Sequence, residues 1–364
     1  MMNKPLVTVV TITFNLLKAN RQNTFKQCVD SVSKQSYKDI EHIIIDGASI
    51  DGTVEILKEY EKQNLIKYFS QPDNGIYDAM NKGIEKANGK YIAFLNSDDF
   101  YNNPDSIKLS VEALESQNAD WSYANTLILD EKRGKQSDWK GSLDFIPFGM
   151  LPNHQTVFVK TEILKTIGGF DVNYPSMADN QLMMKLHSQD YKYVHVDETI
   201  ISFRVGGFSA GMSDKVKESH IENFYNLYKE KLNLTMGDCN NLYCFDFTGL
   251  EMQQAVDLCL KLAHYPQWQR LFLERYIPTV KRPNSLKFYW FKKIPVFKIK
   301  KLDNIFKIYF FGLPILKLKF TDEHAKFYIC GIRQSTTKIP KTPIRNIIDE
   351  EEEIEVEVEG AVTK

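Results

Sequence analysis

Hydrophobic residues in the first hundred positions form short β-branched runs that alternate with segments of helical spacing. The runs are "LVTVVTITF" (6–14), "IEHIIIDG" (40–47), "IKYFS" (66–70) and "KYIAFLN" (90–96). Between them, residues 19–35, 51–63 and 75–87 repeat apolar positions at the period of a helix. Strands and helices that alternate in this order make a mostly parallel sheet covered on both faces. The pattern therefore predicts an α/β fold whose ligand site lies beyond the carboxyl ends of the strands.

The pattern changes along the rest of the chain. Residues 104–210 mix shorter strands with helices, including a helix predicted at 178–188, and residues 211–280 are mainly helical in spacing. The segments "FYWFKKIPVFKIK", "KIYFFGLPILKLK" and "KFYICGI" then superpose at a constant offset of 19 residues. We expect four regions: a catalytic domain (1–210), a helical extension (211–280), a β-repeat region (281–333) and a disordered acidic tail (334–364).

Charge is balanced overall but uneven along the chain. The formal net charge of the 364 residues is −1, which argues against a nucleic-acid-binding protein. Residues 281–319 hold eleven Lys or Arg and one acid, whereas 349–359 hold eight acids and no base. The repeats therefore allow two interpretations, a small β-meander packed on the catalytic domain or a basic–aromatic face that contacts an anionic membrane surface. The acidic tail is expected to be solvated.

Cysteine use and hydropathy indicate the compartment. The five cysteines are scattered and have no zinc-ligand spacing, which is typical of a reducing cytosol. The N-terminus lacks the apolar core of a signal peptide, and no run approaches the roughly 20 apolar residues of a spanning helix. We expect a cytoplasmic protein that is either free or peripheral on the inner face of the cell membrane.

Three acidic features lie where predicted strands end or a helix begins. Asp46 ends the second strand, Asp98 and Asp99 follow the apolar fourth strand, and Asp179 opens the helix at 178–188. Each also has an ordinary structural interpretation, as a turn, a polar loop or a helix N-cap. A hard cation such as Mg²⁺ or Mn²⁺ would relieve the repulsion between Asp98 and Asp99 and would bind phosphate oxygens. Asp179 would serve as a general base if it faced the same cleft.

Seven collinear motifs resemble the bacterial family-2 glycosyltransferases of the GT-A fold, closest to the non-processive enzymes of capsule, O-antigen and exopolysaccharide synthesis. The motifs are "VTVVTITFN", "IIIDGASIDGT", "PDNGIYDAMNKGI", "GKYIAFLNSDD", "HQTVFVKTEILKTIGGFD", "ADNQLMMKL" and "FRVGGFSA", which together cover about residues 5–210. The resemblance implies an inverting, metal-dependent transfer of a sugar from a nucleoside-diphosphate sugar, expected to be UDP-linked. The acceptor would be a saccharide or a lipid-linked saccharide.

The resemblance also implies roles for single residues. The expected nucleotide-sugar contacts are Thr13, Asn15, Asp46, Asp78, Asn81, Asp98 and Gly207. Asp99, helped by Asp98, would bind Mn²⁺ or Mg²⁺, and Asp179 would be the catalytic base. His154 and Gln155 would lie at the acceptor side, and a loop with Gly206, Gly207 and Ser209 would cover the diphosphate.

Three positions depart from the family pattern. Asn96 replaces the first Asp of the usual DxD motif, Ala178 replaces the Glu of a Glu-Asp pair, and Phe208 stands where some relatives carry a metal-contacting His. These departures keep open an alternative, a catalytically impaired assembly partner in a polysaccharide-synthesis complex. A sugar-phosphate nucleotidyltransferase is disfavoured because the segment "TFNLLKANRQN" after the first strand contains no glycine.

Overall fold

The computed structural model describes residues 6–174, 177–206, 213–247 and 249–276, together with the backbone of strands between 285 and 338 and at 356–357. The chain divides into two units, Met1–Tyr243 and Cys244–Lys364. Among the described residues, no helix combines the length and apolar character needed to cross a membrane.

Strands and helices alternate in the first unit, as the hydrophobic pattern predicts. The strands are β1 (Val7–Thr13), β2 (Ile40–Asp46), β3 (Lys67–Ser70), β4 (Tyr91–Phe94), β5 (Phe100–Tyr101), β6 (Trp121–Asp130), β7 (Lys135–Trp139), β8 (Phe158–Lys160) and β9 (Tyr193–Arg204). The helices are α1 (Gln22–Ser33), α2 (Thr53–Lys62), α3 (Ile76–Lys86), α4 (Ser106–Gln117), α5 (Thr161–Ile167), α6 (Ala178–Ser188), α7 (Ser213–Leu232) and α8 (Met236–Leu242). Short 3₁₀ turns occur at Leu143–Phe148 and His154–Thr156.

The strands of this unit form one sheet in the order β3-β2-β1-β4-β8-β6-β9-β5, with β7 paired to β6. Strands β3, β2, β1 and β4 are parallel to one another, so the predicted α/β class and the predicted first four strands are confirmed. Strand β8 runs antiparallel to both β4 and β6, which makes the whole sheet mixed.

The register of the parallel strands brings polar residues to one edge. Strand β1 is β-branched along its length and almost entirely buried, as expected of a central strand. Thr13 at its end is opposite Asp46 at the end of β2, and Asp46 is opposite Ser70 at the end of β3. Asp98 and Asp99 follow soon after β4, which ends at Phe94. The carboxyl edge of the sheet thus carries three of the predicted acidic residues.

Among its described residues, the second unit contains two α-helices and an antiparallel sheet. The helices are α9 (Met252–Lys261) and α10 (Pro266–Tyr276). The sheet has the order β10 (Ser285–Trp290), β11 (Ile294–Leu302), β12 (Ile305–Phe310), β13 (Leu313–Phe320), β14 (His324–Ile329), β15 (Ile332–Lys338) and β16 (Val356–Glu357). The predicted tail begins within β15, and its residues 339–355 and 358–364 lie outside the described residues. The four-region division stays a prediction.

Candidate functional site

Asp46 is completely buried at the end of β2, and four donors from three strand ends or loops surround its carboxylate. Its Oδ1 accepts from Thr13 Oγ1 at 3.2 Å and from Ser49 Oγ at 2.5 Å. Its Oδ2 accepts from the Ser49 main-chain N–H at 2.9 Å and from Ser70 Oγ at 2.7 Å. The buried charge is therefore solvated by the protein itself. Asp46 holds β1, β2, β3 and the loop after β2 together.

The loop after β2 is tied to the end of β1. Asn15 has a left-handed backbone with φ of 49°. Its N–H donates to Ser49 Oγ at 2.7 Å, and its Oδ1 accepts from Ile50 N at 3.2 Å. A Cβ on Gly47 would lie 2.6 Å from Asp73 Oδ2, so a larger residue there would displace the Asp73 carboxylate. The structure thus brings together Thr13, Asn15 and Asp46, as predicted, and adds Asp73 beside them.

Asp78 and Asn81, the two residues of α3 predicted to bind the nucleotide sugar, form hydrogen bonds with other parts of the chain. Asp78 accepts from Asn74 N at 2.9 Å and pairs with Lys82 at 3.0 Å, and these contacts lower its pKa. The Asn81 amide donates to Phe170 O at 2.8 Å and accepts from Phe170 N at 2.8 Å. Within the described part of the chain, no hydrogen bond joins either residue to Asp46. Their nucleotide-binding role stays a prediction.

Asp99 is buried beside a second acid. Its carboxylate accepts from Gln155 Nε2 and from the Arg204 main-chain N–H, both at 2.9 Å, and from Asn96 Nδ2 at 3.2 Å. Burial and the neighbouring charge of Asp98 nevertheless raise the pKa of Asp99 to about 7. The negative charge at this position is only partly compensated by the protein.

Two arginines supply positive charge beside these acids. Arg21 pairs with Asp98 Oδ2 at 3.1 Å, and the Arg204 guanidinium donates to the main-chain oxygen of Asp98. Arg204 also donates to Glu131 Oε1 at 2.7 Å and to Gln27 Oε1 at 2.6 Å. Sequence analysis missed both arginines. Arg204 belongs to the "FRVGG" motif at the end of β9, so this motif could have identified it as a site residue. No local sequence pattern identifies Arg21.

Asp179 lies in the first turn of α6 and is held by two side chains. His154 Nδ1 is 2.9 Å from Oδ2, and the Tyr77 hydroxyl donates to Oδ1 at 2.9 Å. Burial would raise the pKa of Asp179, but the hydrogen bonds from His154 and Tyr77 and the charge of His154 outweigh it, so the pKa is lowered. Asp179 therefore stays ionised near neutral pH. Sequence analysis also missed Tyr77 in this cluster.

The 3₁₀ turn at His154–Thr156 connects the two acidic groups. His154 contacts Asp179, and the next residue, Gln155, contacts Asp99. His154 Nε2 is buried and makes no hydrogen bond with any part of the chain that the structure describes. Two acids remote in sequence are thus bound by adjacent side chains. His154 and Gln155, the predicted acceptor-side residues, therefore lie in the same region of the fold as Asp179, the predicted base.

The carboxylates of Asp98 and Asp99 are suited to bind a cation, provided that most of its ligands come from groups other than these two side chains. Carboxylate oxygens are suitable ligands for Mg²⁺ or Mn²⁺, and the raised pKa of Asp99 marks a charge that a cation would offset. No group of three or more His, Cys, Asp or Glu that could hold a metal occurs among the described residues. Phosphate oxygens of a bound ligand would complete the coordination. Gly207, Phe208 and Ser209 lie outside the described residues, and Gly206 adopts φ of 107°.

Comparisons with known sequences find one family profile and several relatives. The profile of "Glycosyl transferase family 2" matches residues 8–218. An uncharacterized glycosyltransferase of Mycobacterium tuberculosis is 33% identical over 199 residues, covering 51% of this chain and 70% of that protein. A PGL/p-HBAD biosynthesis glycosyltransferase of Mycobacterium bovis is 27% identical over 224 residues, covering 59% and 83%.

A solved structure shares the fold. S. aureus TarS 1-349, determined in complex with UDP-GlcNAc, superposes with a TM-score of 0.52 at 15% identity and covers 84% of this chain and 97% of that one. This likeness concerns architecture alone, because proteins of one fold can differ in chemistry.

Proposed function

The chain belongs to glycosyltransferase family 2 and uses nucleotide sugars, and from that premise we propose an inverting transfer of a hexosyl group from a UDP-sugar. The acceptor is a saccharide or a lipid-linked saccharide in the synthesis of a cell-surface polysaccharide, of the capsule, O-antigen or exopolysaccharide type. A peripheral position on the cytoplasmic face of the cell membrane belongs to the same proposal.

One observation carries the proposal, namely that adjacent residues of one turn bind the two acidic groups. Gln155 contacts Asp99 and His154 contacts Asp179, both at 2.9 Å. A transferase needs a diphosphate site and a base within one substrate length of each other. The shared turn supports this arrangement, with the diphosphate near Asp99 and the acceptor near Asp179.

In the proposed step, the acceptor oxygen forms a bond to the anomeric carbon while the bond from that carbon to the donor phosphate breaks. The bonding electron pair leaves with the diphosphate, and the acceptor proton passes to a carboxylate oxygen of Asp179. The two contacts from His154 and Tyr77 use only part of the acceptor capacity of the Asp179 carboxylate. Lone pairs therefore remain for the proton. Attack from the face opposite the leaving group inverts the anomeric centre.

His154 is suited to orient the acceptor. When Nδ1 donates to Asp179, Nε2 is open to a second hydrogen bond, and this atom is buried and unpaired among the described residues. A sugar hydroxyl suits either form of the ring, because it can donate to a neutral Nε2 or accept from a protonated one. Binding of that hydroxyl would remove the cost of an unsatisfied buried ring nitrogen.

The nucleoside half of the donor is proposed to bind at the ends of β1 and β2, near Thr13, Asn15 and Asp46, with Asp78 and Asn81 lining the same pocket and Gly207 contacting the diphosphate. Asp98 and Asp99 would hold Mn²⁺ or Mg²⁺. When bound there, the cation would stabilise the charge that develops on the departing diphosphate. Arg21 and Arg204 add positive charge at the same place.

The experiment is a panel of nucleotide sugars tested for slow hydrolysis, with Mn²⁺ or EDTA, by the wild type and by Asp179→Asn. A screen of thermal stability with the same panel identifies the donor, since ligand binding raises apparent stability. Hydrolysis of a UDP-sugar by the wild type, lost in Asp179→Asn, is expected. Failure to bind or hydrolyse any nucleotide sugar would instead favour the impaired assembly partner.

A further inference from the structure

The sheet of the second unit places lysines opposite one another on neighbouring strands. In an antiparallel sheet, directly opposite residues share a face, and successive residues of one strand alternate between faces. Lys300 of β11 is opposite Lys307 of β12, and Lys307 is opposite Lys317 of β13. Three lysines therefore form one row across three strands.

Other pairs place further lysines on the same face. Lys287 is opposite Lys298, and Lys319 is opposite Lys326. By strand alternation these residues share a face with the first row. We call it the lysine face, and it comprises Lys287, Lys298, Lys300, Lys307, Lys317, Lys319 and Lys326.

The other face has the opposite composition. One row across β10 to β14 consists of Leu286, Ile299, Ile308, Leu316 and Ile329. Phe297 is opposite Phe310 on this face, and Phe306 is opposite Leu318. Lys301 of β11 is opposite Phe306 and also lies on this face. Of the eight lysines in β10 to β14, the register therefore places seven on one side and one on the other.

Rows of like charge are unfavourable for an isolated sheet. Like charges directly opposite on neighbouring strands destabilise the pairing. Four such pairs occur on the lysine face, Lys287–Lys298, Lys300–Lys307, Lys307–Lys317 and Lys319–Lys326. A partner rich in negative charge would offset this repulsion.

We propose that the lysine face binds the anionic phospholipid headgroups of a membrane surface. The strands from β10 to β14 span roughly 20 Å, and the lysines occupy several rows, so a two-dimensional surface matches the face better than a single linear polyanion does. Tyr309 is opposite Lys298 and Tyr328 is opposite Lys317, so tyrosines share this face. Tyrosine is enriched where proteins meet a lipid interface. The inference deepens the proposed membrane location, but its test needs no turnover.

The full-length protein is mixed with vesicles of phosphatidylcholine alone or with added phosphatidylglycerol, and the bound fraction is measured by sedimentation at low and high salt. We expect binding that requires phosphatidylglycerol and weakens with salt. Each lysine near an anionic surface contributes a factor of roughly five. The variant Lys300→Gln, Lys307→Gln, Lys317→Gln should therefore lose about a hundredfold in affinity.

A matched control variant removes the same number of positive charges from another part of the chain. Lys34→Gln, Lys58→Gln, Lys62→Gln alters three exposed lysines of the first unit and should bind like the wild type. The lysine-face variant should also unfold at the same or a higher temperature, since it loses like-charge pairs, so weaker binding would not reflect misfolding.

Four results would overturn the proposal. Three are equal binding to both vesicle types, equal losses in the two triple variants, and binding to soluble polyphosphate without binding to vesicles. The fourth is failure of the full-length protein to bind any vesicle, with binding seen only after removal of residues 345–364. That result would show that the acidic tail occupies the face, since Glu357 of β16 is opposite Thr336, which is opposite Lys326.

Discussion

Nδ1 of His154 lies 2.9 Å from Oδ2 of Asp179, which joins the turn before β8 to the first turn of α6. The Tyr77 hydroxyl reaches the other oxygen of the same carboxylate at 2.9 Å. These two contacts fix the position of the carboxylate and favour its ionised form. Asp179 could act as a catalytic base or as a structural residue of α6, and the two roles predict different outcomes for its substitution.

Asp179→Asn should lower kcat by about 10²–10⁴-fold, the usual contribution of general-base catalysis. Donor affinity should change little, because the proposed diphosphate site is at Asp99. Transfer or hydrolysis rates and calorimetric donor titration measure the two quantities separately. If turnover stayed at the wild-type level, Asp179 would be a structural residue of the first turn of α6 and the base would have to be sought elsewhere.

His154→Phe should move the acidic limb of the pH–rate profile to higher pH. His154 lowers the pKa of Asp179, and burial alone would raise it, so the carboxylate of the variant protonates at a higher pH and the rate falls earlier as pH decreases. Tyr77→Phe is the matched control. It should move the limb in the same direction by less, because the Tyr77 hydrogen bond lowers the pKa less than His154 does. An unmoved acidic limb in both variants would contradict this coupling.

Asp99→Asn should make the metal-free protein less sensitive to pH. The pKa of Asp99 is about 7 in the folded state and about 4 in an unfolded chain, so its carboxylate destabilises the fold increasingly as pH rises through that window. Each pH unit costs about 1.4 kcal/mol. The stability advantage of the variant over the wild type should grow from pH 4 to pH 7 and then level off.

Urea unfolding in EDTA measures this difference. Asp98→Asn is the control for the electrostatic cause. It removes the neighbouring charge that raises the pKa of Asp99, so its pH dependence should be weaker than that of the wild type. A constant difference between Asp99→Asn and the wild type at all pH values would show that Asp99 is not the titrating group.

Asp46→Asn should destabilise the fold by about 1.5–3 kcal/mol, because the amide nitrogen cannot accept the hydrogen bonds that a carboxylate oxygen accepts from Ser49, Ser70 and Thr13. Ser70→Ala removes one donor and should cost less. Denaturant unfolding measures the stability, and nucleotide titration at a temperature where the variant is folded measures binding. Loss of nucleotide binding with unchanged stability would instead assign Asp46 to the ligand alone.

Much of the catalytic fold followed from the sequence. Runs such as "LVTVVTITF" predicted four strands that the structure confirms, because periodicity is a local property of the chain. The positions of Asp46, Asp99 and Asp179 followed from where strands end and helices begin. The antiparallel direction of β8 could not be predicted, because the side-chain pattern of a three-residue strand does not show which way the strand runs.

The sequence by itself determined the α/β class, the acids at the carboxyl edge and the repeat that becomes an antiparallel sheet. Only the tertiary structure decided which side chains those acids contact. His154 with Asp179, Gln155 with Asp99 and Arg21 with Asp98 are pairs remote in sequence. Their distances depend on how helices pack across a sheet, which is a non-local property that spacing along the chain does not encode.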